Sequence, residues 1–129
     1  MRAVSGFDLD SNEPAPPHRE QDGVRYQRTS IEKTFRGDLQ GHGSVEMLAA
    51  QGDGGAGYVA LEHIAGTIAG RSGGFALLHI GTLNGKEMWA RWPIVPHSGT
   101  GDLRTIRGEG TVDIDPQGRH TLTLDYELD

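Results

Sequence analysis

The chain has 129 residues, with 20 Gly, 6 Pro and no Cys. The length suits one domain. The glycine content argues against coiled coils and long-helix bundles, because Gly costs about 1 kcal/mol at a helical position, and without thiols there are no disulfides and no thiolate metal sites. Twelve basic against 18 acidic residues give a formal charge of −6, which disfavours nucleic acid and anionic membrane surfaces as partners, since both require a basic surface.

In chain order, a short first strand is expected over residues 3–9. Its N-terminus lacks the apolar stretch of a signal peptide, so the expected location is the cytoplasm. Residues 12–23 hold three of the six prolines and read as an exposed loop, because Pro interrupts both helix and central strand. Residues 24–35 are rich in Val, Tyr, Thr and Ile, and 43–50 form the next strand-like run. A helical turn over 45–51 is the weaker reading. Gly52-Asp53-Gly54-Gly55 marks a turn, 58–68 a long β run, and Gly70-Arg71-Ser72-Gly73 another turn before the strand at 75–83. Asn84-Gly85 suits a type I′ hairpin, whose central residues both need positive φ. The run 88–95 carries both tryptophans, and Ser98-Gly99-Thr100-Gly101 turns the chain. Runs 110–114 and 120–128 flank Asp115-Pro116-Gln117-Gly118, a good turn sequence.

These are about eight strands at the spacing of an all-β domain, and no apolar run approaches the ~20 residues of a membrane-spanning helix. The last strand alternates cleanly. His120, Leu122, Leu124, Tyr126 and Leu128 share one face, and Thr121, Thr123, Asp125 and Glu127 the other, as in a half-buried antiparallel strand. The 58–68 run is apolar on both faces, which suggests cover on both sides, in an oligomer or under the Pro-rich loop. Gly66, Gly81, Gly108 and Gly110 fall inside strand-like runs, where a closed barrel needs sharp bends. Closure also removes exposed edges. The expected fold is all-β, a single small antiparallel β-barrel domain of about eight strands over residues 1–129, ahead of a sandwich.

Two constellations carry candidate chemistry. A hairpin of 58–68 with 75–83 centred on Arg71 sets His63 opposite His79 and Glu62 opposite Ile80, whereas a one-residue slip pairs Glu62 with His79 and exchanges the faces. Inside a barrel, low dielectric raises a carboxylate pKa and lowers that of a His, which poises Glu62 and His79 for proton transfer. The bland alternative is a solvated outer Glu and a backbone-bonded His. Trp89 and Arg91 share a face, with Trp92 opposite. An inward aromatic binds an apolar ligand, and an Arg beside it fixes a carboxylate, the alternative being one core Trp and one at a subunit contact. Tyr58, His63 and Tyr126 complete the expected ligand contacts. Arg71 lies in a tight turn and not in a phosphate loop, whose spacing is absent. The six His show no metal-ligand spacing, so no metal is expected.

Three segments together resemble the bacterial domain-of-unknown-function family 3224. They are Phe35-Arg36-Gly37-Asp38-Leu39-Gln40-Gly41, the stretch from Leu61-Glu62-His63 through Gly70-Arg71-Ser72-Gly73-Gly74-Phe75, and Ser98-Gly99-Thr100-Gly101-Asp102-Leu103, with Leu124-Asp125-Tyr126 near the end. The resemblance implies a barrel similar to that of plant allene oxide cyclase, in an oligomer, with no established activity to carry over. Cofactor-free isomerisation or cyclisation enters as fold-level analogy. The expected function is binding of a small, largely apolar molecule in the barrel interior, with Glu62 and His79 as catalytic candidates and no cofactor. The competing expectation is a barrel filled by its own side chains that acts through its surface or an oligomer interface.

Overall fold

The computed structural model describes residues 1–16 and 19–129. Pro17 and His18 of the expected Pro-rich loop lie outside them. Nine strands form one antiparallel sheet: β1 (Arg2–Pro14), β2 (Arg19–Gln21), β3 (Val24–Gly37), β4 (Leu39–Gly52), β5 (Gly55–Ile68), β6 (Arg71–Asn84), β7 (Glu87–Pro93), β8 (Arg107–Ile114) and β9 (His120–Glu127). Each strand pairs with its neighbour in sequence, except that β1 pairs with both β9 and β3. That double pairing closes an eight-stranded barrel, with β2 a short ribbon on the start of β3. The weaker reading of a helical turn over 45–51 fails, because those residues belong to β4. A single 3-10 turn, Gly101–Leu103, is the only helix among the described residues, and none is long and apolar enough to cross a membrane.

The strands run longer than the sequence signals suggested, because cross-strand pairing carries polar residues along with the apolar ones. β1 extends through a bulge after Leu9 to Pro14, into the expected loop. The β5–β6 turn is Ala69-Gly70, both left-handed at φ +52° and +78°, rather than one centred on Arg71. Ala60 therefore faces His79, and Glu62 faces Leu77. The β6–β7 turn falls at Gly85-Lys86, because Asn84 pairs with Glu87.

Side chains alternate between the barrel interior and the outer surface. Ala3, Ser5 and Phe7 of β1, Lys33 and Phe35 of β3, and Leu122, Leu124 and Tyr126 of β9 are all buried. The interior is not filled evenly. At the end holding the β3–β4 and β5–β6 turns, residues such as Leu39, Ile68, Phe75, Leu103 and Ile106 form a continuous apolar core. Ser5 stitches this end, its Oγ accepting the Leu39 N–H at 2.9 Å. At the other end the inward-facing Ile31, Met47, Tyr58, Trp92 and Val112 are only half-buried, so one end is sealed and the other open.

The seal is built from two Gly-rich segments. β7 pairs with β6 only over Ile80–Asn84, and the first half of β6 is covered by the segment after β7. The Thr100 N–H donates to the Gly74 carbonyl at 2.8 Å, and the hydroxyls of Thr100 and Ser98 accept the N–H groups of Gly74 and Ala76. A Cβ on Gly73 would lie 2.0 Å from the Thr100 carbonyl oxygen, so only glycine admits this approach.

Candidate functional site

Three charged or titratable side chains meet inside the barrel where the sealed half gives way to the open one. Alternation places Glu62 of β5, His79 of β6 and Lys33 of β3 on inward faces. Each neighbours apolar inward residues such as Ile64, Leu77 and Phe35. Glu62 is 1% exposed, and Lys33 and His79 are each 7% exposed. Glu62 Oε1 accepts from His79 Nε2 at 2.8 Å and from Lys33 Nζ at 3.1 Å. The pair formed by Glu62 and His79 is diagonal across the β5–β6 ladder, reached without the direct pairing that a one-residue slip requires.

The surroundings are aromatic. Lys33 Nζ stands 4.5 Å from the Phe7 ring centroid and 6.0 Å from that of Phe35, where the ring faces attract a cation. The His79 and Trp92 rings meet edge to face with centroids 6.5 Å apart. Among the described residues the second carboxylate oxygen of Glu62, Oε2, has no hydrogen-bond partner. It lies over Gly43, where an added Cβ would fall 2.1 Å from it, so the carboxylate occupies room that a side chain on β4 would take.

Burial pushes the Glu62 carboxyl up, but the hydrogen bond from His79 and the charge of Lys33 outweigh it and hold the group below the ordinary carboxylate value. This corrects the expectation of a raised pKa: the hydrogen bond from His79 is the larger cause, and the charge of Lys33, a cation absent from the sequence-based expectation, adds to it. A signal for that cation exists. Lys33 alternates with Ile31 and Phe35 on the buried face of β3, and a basic residue on an apolar face is a polar group that needs a partner.

The other candidates separate. Trp92 and Tyr58 face inward in the open half, where burial raises the Tyr58 pKa above the ordinary tyrosine value. Tyr126 is inward but belongs to the sealed core. His63, Trp89 and Arg91 face outward, Trp89 at 52% exposure, and Arg91 is paired with Glu109 at 2.8 Å. None of these three shares the interior with Glu62. Arg71 opens β6 at the turn, and its guanidinium donates to the carbonyl of Asp129. Among the described residues no three His, Asp or Glu side chains gather as metal ligands would.

A family model described as protein of unknown function (DUF3224) matches residues 3–126. The chain is also similar to the crystal structure of a DUF3224-family protein with unknown function from Shewanella oneidensis MR-1. That likeness is 31% identity over 100% of this chain and 97% of the other, with a TM-score of 0.91. No curated protein matches it.

Proposed function

This chain belongs to the DUF3224 family, and we propose that it holds a small, largely apolar molecule in the open half of its barrel and moves a proton on it without a cofactor. One observation carries the reading: Lys33, Glu62 and His79 form a buried cluster of ionisable groups inside a barrel whose other buried side chains are apolar apart from the hydroxyls of Ser5 and Thr29. Charge buried in this way costs stability that an apolar side chain would not, and perturbed ionisable clusters concentrate at functional sites.

In this reading the three side chains divide the work. An ionised Glu62 can only accept, so His79 Nε2 carries the hydrogen and Nδ1 is the ring nitrogen free to take a proton. Glu62 is then a positioning residue, and His79 is the base. His79 removes a proton from one carbon of the bound molecule and returns it to another. The net change is an isomerisation that needs no co-reactant. The Lys33 ammonium stabilises negative charge that develops on an oxygen of the substrate. Ile31, Met47 and Trp92 hold the molecule in the reactive fold, which is an entropic contribution.

Native mass spectrometry of freshly purified protein tests the reading. The expected result is an excess of a few hundred daltons per chain, lost on denaturation. His79→Ala is expected to retain the ligand but leave it unconverted. A clean chain mass, together with unchanged Trp92 fluorescence in a Trp89→Phe background across a panel of apolar carbonyl compounds, would overturn it.

A further inference from the structure

The outer surface of β3–β6 carries apolar residues where a solvated barrel carries polar ones. Arg28, Leu48, Val59 and Ile80 are successive cross-strand partners and form one row. Ser30, Glu46, Leu61 and Leu78 form the next. Leu48 is 43%, Val59 52% and Leu61 58% exposed. Between the rows runs a groove of about 610 Å³ with Leu48, Val59, Leu61 and Leu78 along it and Arg28 and Glu46 at its rim. An almost wholly apolar hollow of about 390 Å³ continues it past Gly57 to Trp89. Monomeric soluble proteins rarely expose a contiguous apolar patch of this kind.

We propose that this face is the docking surface for a second copy of the same chain, with the two copies related by a two-fold axis that lies in the face, across the strands and between the two rows. Under that operation each row lies over the other row of the second copy. Val59 meets Leu61 of the second copy, Ile80 meets its Leu78, and Arg28 comes beside its Glu46, every contact occurring twice. The charges favour a second copy over an unrelated partner, because Arg28 and Glu46 lie in opposite rows on neighbouring strands, so this axis, which sets Arg28 over Ser30 and Leu48 over Glu46, brings each charge diagonally beside its opposite on the second copy. Arg28 makes no ion pair among the described residues. The two rows and the neighbouring row of Tyr26, Ala50, Gly57, Thr82 and Trp89, on strands ~4.8 Å apart with rows ~6.7 Å apart, give a footprint of about 24 by 20 Å, somewhat over half of the ~800 Å² that each partner of a stable complex contributes. Sheets pack face to face in this manner.

Sedimentation velocity at about 100 µM protein tests the proposal, a concentration at which even a ~10 µM dimer is mostly assembled. The wild type is expected at twice the chain mass. Leu61→Lys is expected at the chain mass with an unchanged circular dichroism spectrum, and Val59→Lys serves if that variant does not fold. Arg28→Glu is expected to weaken the dimer about tenfold or more, and Arg28→Glu/Glu46→Arg to restore it. A monomeric wild type, or a dimer indifferent to both lysine variants, overturns the proposal. A double charge exchange that fails to restore a dimer weakened by Arg28→Glu overturns the axis. A monomer that floats with phosphatidylcholine vesicles until Leu61→Lys is introduced assigns the face to a lipid surface and overturns the proposal as well.

Discussion

Replacing Lys33 by Met removes one cation from the buried cluster and nearly preserves its volume. Glu62, 1% exposed, then keeps only His79 as a partner. Removing one member of a buried ion pair costs about 3–5 kcal/mol, because the remaining charge stays desolvated. For a domain of this size that corresponds to a fall in melting temperature of roughly 11–18 °C at neutral pH. The pH dependence identifies the cause. In the wild type the folded Glu62 pKa is depressed below 4.5, so its contribution is present above that value and is lost as pH falls through the folded one. Without Lys33, burial is opposed less and the folded pKa rises. The deficit of the variant is therefore full at neutral pH. It shrinks as acid protonates Glu62, first in the variant and then, below 4.5, in the wild type. Lys33→Met/Glu62→Gln, which leaves no buried carboxylate, is expected to regain most of the loss at pH 7. The assay is thermal denaturation followed by circular dichroism from neutral to acidic pH. A deficit that is the same at both ends of that range, or one below about 1 kcal/mol, would refute the reasoning.

Three further outcomes follow from close contacts. Gly43→Ala places a Cβ 2.1 Å from Glu62 Oε2 and 2.9 Å from the Phe35 ring, so urea denaturation is expected to show a loss of about 1–3 kcal/mol, much reduced in a Glu62→Ala background. Gly73→Ala drives a Cβ into the Thr100 carbonyl, so hydrogen exchange is expected to speed up over residues 98–106 while the open-half amides keep their protection. Burial holds the Tyr58 phenol above its ordinary value of 10.0. Ultraviolet titration of the folded protein is expected to show a late-ionising component that Tyr58→Phe removes. The stability this group contributes is present below pH 10.0 and is lost as pH rises through the folded pKa.

The alternation of Leu122, Leu124 and Tyr126 and the turn residues between runs are local signals, and from them the strand content and the barrel class were readable. The interior Glu62 and His79 pair was readable only as one of two facings, because a register slip of a single residue exchanges the sides. The choice rested on Ala69-Gly70 forming the tight turn, a matter of two φ angles that Gly70-Arg71-Ser72-Gly73 did not reveal. The apolar faces of residues 58–68 pointed to cover on both sides, and in the isolated chain Val59 and Leu61 stand exposed. Lys33, Gly43, Glu62 and His79 come from four consecutive strands. Their meeting at one height in the barrel depends on the stagger of every strand pair between them and on closure of β1 against β3. Alternation repeats every two residues within a strand, whereas height around a closed barrel is set by the summed shear of the whole sheet, which no local stretch of sequence contains.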